Sequence, residues 1–407
     1  MTETIKSIAE EAAAIRAPFF FRQVLNLASK IKYGALCFIL PDGAKIRIEG
    51  EEELESEGVI IVNDVAFARR TILGGDIGFF ESFADGQWDT PDLASCLYIF
   101  ARNADHVQEA FAASPFIDWL NNIRHKLNRN SKSGSKRNIA SHYDLGNNFY
   151  QQWLDATMTY SSARFTTIES DLETAQRNKY QSLAQSIDLK SGERVLEIGS
   201  GWGGFAEYAA KAIGAKVTGL TISPAQYEFS RERIFREGLN EKVEFKLQDY
   251  RDVEDKFDKV ASIEMFEAVG MEYWPTYFEK IKNALNPGGV AGLQIITISD
   301  RFFDRYSKST DFIQRYVFPG GVLPSNRILK SLTEKAGLTL QSANAFGQDY
   351  ARTLNEWTKR FLLAWDDIQK LGFDERFKKL WRFYLAYCEA GFKAGTTDVS
   401  QIALRRA

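Results

Sequence analysis

Histidine is nearly absent from this chain of 407 residues. His106, His125 and His142 are the only three, so nothing after residue 142 can use an imidazole. Cysteine is as scarce: Cys37, Cys96 and Cys388 lie far apart with no C-x-x-C pair. That spacing argues against a zinc cluster or a disulfide framework, and no metal is expected. The net charge of -3 leaves no global field to attract nucleic acid. No apolar run reaches the roughly 18 residues that would suggest a membrane span. The opening MTETIKSIAEEAAAI is acidic and amphipathic rather than basic and then apolar, so it does not read as a signal peptide, and a cytoplasmic protein is expected. There are no internal repeats.

What the chain does contain centres on RVLEIGSGWGGFAEYAA, Arg194 to Ala210. An apolar run (Val195, Leu196, Ile198) enters Gly199-Ser200-Gly201-Trp202-Gly203-Gly204, and helix-forming residues follow from Phe205 to Ile213. Strand, glycine turn and helix open a nucleotide-binding βαβ unit, in which the glycines allow a tight turn and the N–H groups at the helix start hold an anion. Gly199, Gly201 and Gly203 are therefore candidate cofactor contacts. Glu197, at the strand end, can accept from an ammonium group. A dinucleotide site would also want an acid about 20 residues on for the ribose hydroxyls. The next strand, Lys216 to Thr221, instead leads to Thr221, Ser223 and Gln226. This predicts S-adenosylmethionine (SAM) rather than NAD.

The length suggests two domains. Residues 1–123 read as a small α+β domain, with strand patterns at Ala35–Leu40 and Lys45–Glu49 joined by the turn Pro41-Asp42-Gly43, and a buried strand at Val59–Val62. Phe79, Phe80, Phe83 and Trp88 either touch lipid or fill a small core, and core is the expectation because apolar residues are mostly inside. Residues 124–138 hold six Lys or Arg and no acid, and read as a flexible basic linker that can also attract an anionic membrane surface. Residues 139–407 form the second domain. Thr174–Ile187 reads as a helix, and strand patterns at Val217–Thr221, Phe245–Leu247, Lys259–Ile263 and Val290–Ile298 alternate with helices, predicting a parallel α/β sheet covered on both faces. Arg301 to Ala407 is expected to be helical and aromatic-rich, interrupted by FPGGVLPS at 318–325.

The motifs SHYDLGNNFY, MTYSSARF, LEIGSGWGG, GLTISPAQ, IEMFEAVG, FIQRYVFPGGVLPS, FGQDYARTL and WRFYLAYCEAGF span nearly all of residues 139–395. Through them the chain resembles the cyclopropane-fatty-acyl-phospholipid synthase family, which includes the related mycolic acid cyclopropane synthases. GDIGFFESFADGQWDTPDL extends the resemblance to the N-terminal domain of the phospholipid-acting branch. The resemblance implies a Rossmann-like class I methyltransferase domain, with helical acyl-binding insertions, beside a smaller α+β N-terminal domain. It implies SAM contacts at Tyr143, Tyr160, Ser161, Gly199, Gly201, Thr221, Gln226 and Ile263. It also implies an unsaturated phospholipid as substrate, met peripherally at the inner face of the membrane, and makes a homodimer plausible.

An isolated alkene is a poor nucleophile, so the site must hold a strong electrophile against it in a dry, apolar setting. A base must then remove a proton. Loss from the delivered methyl closes a cyclopropane, and loss from another carbon leaves a methylated or methylene chain. In the family, the base is a bicarbonate held by Cys, Glu, His and Tyr. Glu267 and Tyr350 match the pattern, whereas Ser162 replaces the Cys and Ile296 replaces the His. Serine replaces cysteine as a donor. Isoleucine removes a donor altogether, and a buried anion with fewer partners is costly. Bicarbonate binding is therefore expected to be weakened or lost, with Glu267 acting as base and Gln294 supplying a replacement contact. A small-molecule methyltransferase would not need the N-terminal domain. A lipid-binding protein with a relict fold would have no use for intact Glu197, Gly199, Gly201, Glu267 and Tyr350.

Overall fold

The computed structural model describes residues 3–4, 17–106 and 145–407, with side chains except at 3–4 and 53–56. The basic linker at 124–138 and Tyr143 lie outside the described residues. The chain divides into two compact units.

The first unit gathers the described residues up to His106 together with Thr310–Pro319 and Gly372–Thr396. Its five-stranded sheet has the order β1-β3-β2-β4-β5, with β1 at Glu3–Thr4, β2 at Tyr33–Ile39, β3 at Lys45–Glu49, β4 at Glu52–Val62 and β5 at Trp88–Asp89. The expected hairpin forms: β2 and β3 pair antiparallel, and the turn closes with the Leu40 N–H donating to Ala44 O at 2.8 Å. Helices Phe67–Ala84, Leu93–Arg102 and Glu375–Ala394 supply an aromatic core. Phe79 stacks on Trp88 at 4.1 Å, and Phe80 and Phe83 pack on Phe383. Phe79, Phe80, Phe83 and Trp88 are all buried, so these rings fill the core. The Trp88 indole N–H, which would be costly to bury unpaired, donates to Phe79 O at 3.0 Å.

The second unit is built on a seven-stranded sheet of order β11-β12-β10-β9-β6-β7-β8. Strands β6 (Arg194–Ile198), β7 (Lys216–Thr221), β8 (Val243–Leu247), β9 (Phe257–Ile263) and β10 (Leu285–Ile298) run parallel. Val195, Leu196, Ile198, Val260 and Leu293 are almost wholly inaccessible, as strands covered on both faces require. The expectation that the C-terminal region is helical apart from 318–325 is corrected at two segments. Leu338–Ala345 is β11 and Thr397–Arg406 is β12, and β12 pairs antiparallel with both β10 and β11. The sheet is therefore mixed. The residues QIALRR are good helix formers, but cross-strand pairing and burial of Ile402, Ala403 and Leu404 outweigh that preference.

Helix Leu172–Ser186 lies close to β10: a Cβ on Gly292 would sit 2.7 Å from Ile187 Cγ2, just past the helix end, and 3.0 Å from Leu183 Cδ1. Its buried stripe of Leu172, Ala175, Gln176, Lys179, Tyr180 and Leu183 follows helical spacing but includes a lysine. Asp171 caps this helix by accepting from the Thr174 N–H at 2.7 Å. Replacing Asp171 by Ala should cost about 1 kcal/mol and lower the melting temperature by a few degrees, measured by calorimetry.

Candidate active site

The glycine loop follows β6. Gly199, Gly201 and Gly203 have φ of 79°, 53° and 82°, a region only glycine enters freely. The N–H groups of Gly199 and Ser200 donate to Leu220 O, tying the loop to the end of β7. A Cβ on Gly199 would lie 2.7 Å from Met265 Cγ, and one on Gly203 would lie 2.9 Å from Phe245 Cζ. At Gly201 a Cβ would meet nothing within 4 Å, so the loop is open to a ligand there. Thr221 Oγ1 donates to Gln226 Oε1 at 2.9 Å, bringing together the two residues expected to replace the ribose-binding acid. Glu197 is buried beneath the loop. It accepts from the Ala206 N–H, its Oε2 has no partner, and burial pushes its pKa up to about 8. Tyr160 lies in an aromatic wall, with its ring 5.2 Å from Tyr150 and 5.3 Å from Trp357. Ile263 ends β9.

A second group of residues gathers beyond the carboxyl end of β9. Glu264 has φ of 50°, one of three positive values at non-glycine residues among those described, a backbone state costing about 1–2 kcal/mol. Its Oε1 accepts from the Ser162 N–H at 2.8 Å and from Gln294 Nε2 at 2.7 Å, and its Oε2 accepts from Tyr350 Oη at 2.7 Å. Gln294 is held in turn by Gln401 Nε2, which donates to its Oε1 at 3.0 Å from the facing strand β12. Burial raises the Glu264 pKa, against the pull of Lys179 and the three hydrogen bonds. Lys179 is fully buried and donates to Ser161 Oγ at 2.6 Å. Burial lowers its pKa to about 7, against the attraction of Glu264, Asp155 and Glu197.

Glu267 lies three residues on. Its Oε1 accepts from the Ile296 N–H at 2.5 Å, and its buried Oε2 has no partner. Burial and the charge of Glu264 push its pKa up to about 8. Position 296 thus contributes its backbone to Glu267 and an isoleucine side chain to the surroundings. The Ser162 hydroxyl donates to Ala163 O, leaving its N–H as the contact to a carboxylate. Of the residues expected around the base, Ser162 and Tyr350 converge on Glu264 rather than on Glu267, and Gln294 joins them. Glu264, Lys179 and Gln401 were not among the expected site residues. The signal for Glu264 was an acid directly after a strand end, within IEMFEAVG.

Residues 130–402 match the profile of the family described as mycolic acid cyclopropane synthetase. The chain belongs to that family. As a mycolic acid cyclopropane synthetase family member it is a SAM-dependent enzyme with a class I methyltransferase fold. It is 36% identical to the tuberculostearic acid methyltransferase UfaA1 of Mycobacterium tuberculosis, over 98% of this chain and 92% of that one. It is also 36% identical to the cyclopropane-fatty-acyl-phospholipid synthase of Escherichia coli, over 85% of this chain and 87% of the other. Among solved structures, mycolic acid cyclopropane synthase CmaA1 complexed with SAH and CTAB superposes with a TM-score of 0.62 at 27% identity, covering 66% of this chain and 97% of that one. The open face at Gly201, the Thr221–Gln226 pair and the unpartnered Glu197 oxygen fit the SAM that the family requires.

Proposed function

We propose that this chain transfers a methyl or methylene group from SAM to the double bond of unsaturated acyl chains of membrane phospholipid, in the manner of a cyclopropane-fatty-acyl-phospholipid synthase. The observation that carries this reading is the pair of acids after β9, with Met265 between them in sequence and close to Gly199 of the glycine loop. An acceptor site that must be dry and must also take up a proton needs such groups beside the methyl donor. The identity to a phospholipid-acting synthase over most of both chains supports the substrate class.

SAM supplies an electrophilic methyl on a sulfonium. In this reading Tyr143, Tyr160, Ser161, Glu197, Gly199, Gly201, Gly203, Thr221, Gln226 and Ile263 hold it. Tyr160 presents a ring face that attracts positive charge. Ser162, Glu267 and Tyr350 surround the reacting carbons, and the aromatic wall keeps water from the cation that forms there. The substrate is met by peripheral contact with the inner face of the membrane, and the active form is a homodimer. Among the described residues no helix is long and apolar enough to cross a bilayer.

A methyl-branched or methylene product is the second reading. It is favoured by Ile296 standing where the family places a histidine, and by the 36% identity to a relative named for methyl transfer. Mass spectrometry of lipids from cells expressing the chain, fed methyl-labelled methionine and a monounsaturated fatty acid, tests both. Label in phospholipid acyl chains is expected. A product resistant to hydrogenation at the double bond, with two label hydrogens, is a ring. One that takes up hydrogen is a methylene chain, and one that keeps three label hydrogens is methyl-branched. Absence of label from lipid would return the chain to a lipid-binding role.

A further inference from the structure

The bicarbonate that the family resemblance implies does not fit this site, because the donors expected to hold it are already engaged by a carboxylate of the protein. The Ser162 N–H and the Tyr350 hydroxyl both donate to Glu264, and Gln294 adds a third donor. The side chain at 296 offers no hydrogen bond, and the Ile296 N–H is taken by Glu267. The geometry points to Glu264 as the catalytic base of this enzyme, a built-in carboxylate doing the work of a bound bicarbonate.

Four observations support the assignment. Glu264 follows β9 at the carboxyl edge of the parallel strands, where ligands of such sheets bind, and its neighbour Met265 lies against the glycine loop. Its backbone is held left-handed at φ 50°, a strained state of the kind that gathers at active sites. Its carboxylate is aimed by a relay from Gln401 to Gln294 to Oε1, and by Tyr350 at Oε2, so both oxygens are fixed in direction. Finally, Glu264 and Glu267 divide their roles. Glu264 is met by three donors and by the charge of Lys179, all of which favour its ionised form against burial, whereas Glu267 has one donor and an oxygen without a partner. Two nearby carboxyl groups with unlike surroundings are a recurrent way to keep one ionised and one neutral.

The inference rests on the methyl transfer proposed above, and the step balances as follows. The alkene π pair forms the new C–C bond to the methyl, and the S–CH3 pair stays on sulfur. The adjacent carbon is left cationic. Glu264 then takes one proton. If that proton leaves the methyl, its C–H pair closes the cyclopropane. If a hydride first shifts to the cationic carbon, loss of the same methyl proton leaves a methylene group. Glu264 gives the proton to solvent after product leaves.

The test uses the purified full chain, SAM with a labelled methyl, and vesicles of dioleoyl phosphatidylglycerol in buffer freed of carbon dioxide. Wild-type turnover should be the same with and without added bicarbonate. E264Q should bind SAM as wild type does while its kcat falls about a hundredfold or more, the usual contribution of a general base. E264A, which leaves the three donors facing a gap, should be inactive and regain turnover when formate or bicarbonate is added. Dependence of the wild type on bicarbonate would overturn the assignment, as would E264Q with near-normal kcat. If E264Q loses SAM binding and neither anion rescues E264A, Glu264 is structural and the assignment also fails. A wild type that labels no lipid refutes the proposed function itself, and the base assignment with it.

Discussion

Replacing Gly201 by Ala should abolish SAM binding while leaving the protein folded. At φ 53° an alanine costs about 1–2 kcal/mol of backbone strain, enough to lower the melting temperature by a few degrees but not to unfold the chain. Its Cβ meets no protein atom within 4 Å, so the added methyl projects into the space the loop leaves for a ligand. The loss should be at least about a hundredfold in Kd, equivalent to roughly 3 kcal/mol. The neighbouring glycines make the control. A Cβ on Gly199 or Gly203 runs into Met265 or Phe245 before it reaches any ligand, so G199A and G203A should lose stability and binding together. Titration calorimetry with SAM, alongside thermal melts of the three variants, separates the two effects. G201A binding SAM with wild-type affinity would mean that the cofactor does not cross the loop at this residue.

The glycine loop was readable because its chemistry is local. A strand, four glycines and a helix start within the eleven residues from Arg194 to Gly204 admit few structures, and the parallel strands from β6 to β10 follow from short apolar runs separated by helical patterns. Thr221 and Gln226 were readable for the same reason, being five residues apart across one turn. The groups around Glu264 were not. Lys179 sits in a helix whose charged residues look solvated, and only the packed fold shows that it faces inward. Gln294 and Gln401 are 107 residues apart, and their pairing requires β12 to be a strand despite its helix-forming residues. Glu264 itself stands where a glycine would adopt the same φ without strain, and nothing in an acid's side chain announces a left-handed backbone. The tertiary fold similarly decides that helix Glu375–Ala394 belongs with the first unit, where Phe383 packs on Phe80 and Phe83.

Glu267 should reveal its burial through the pH dependence of stability. Its folded pKa is about 8 against an ordinary value of 4.5, raised by burial first and then by the charge of Glu264. Between those values the folded state holds a proton that the unfolded state has released, so the slope of unfolding free energy with pH is negative. The contribution is complete below about pH 4.5 and is lost as pH climbs towards 8. Other buried groups act in the same range. Glu197 is also held near 8 and pulls in the same direction, whereas Lys179, lowered to about 7, gains stability as pH rises further. The whole-protein curve therefore does not isolate one residue, but the difference between E267Q and wild type does, because the other groups largely cancel. Glutamine keeps the acceptor for the Ile296 N–H and cannot ionise. E267Q should thus gain on wild type as pH rises from 5.5 to 8.5, by at least about 2 °C in melting temperature. A gap that stays flat across that range would mean that Glu267 reaches water in the folded protein. The electrostatic contrast between Glu267 and the better hydrogen-bonded Glu264 would then lose its physical cause, and the choice of base would rest on the three donors that aim Glu264.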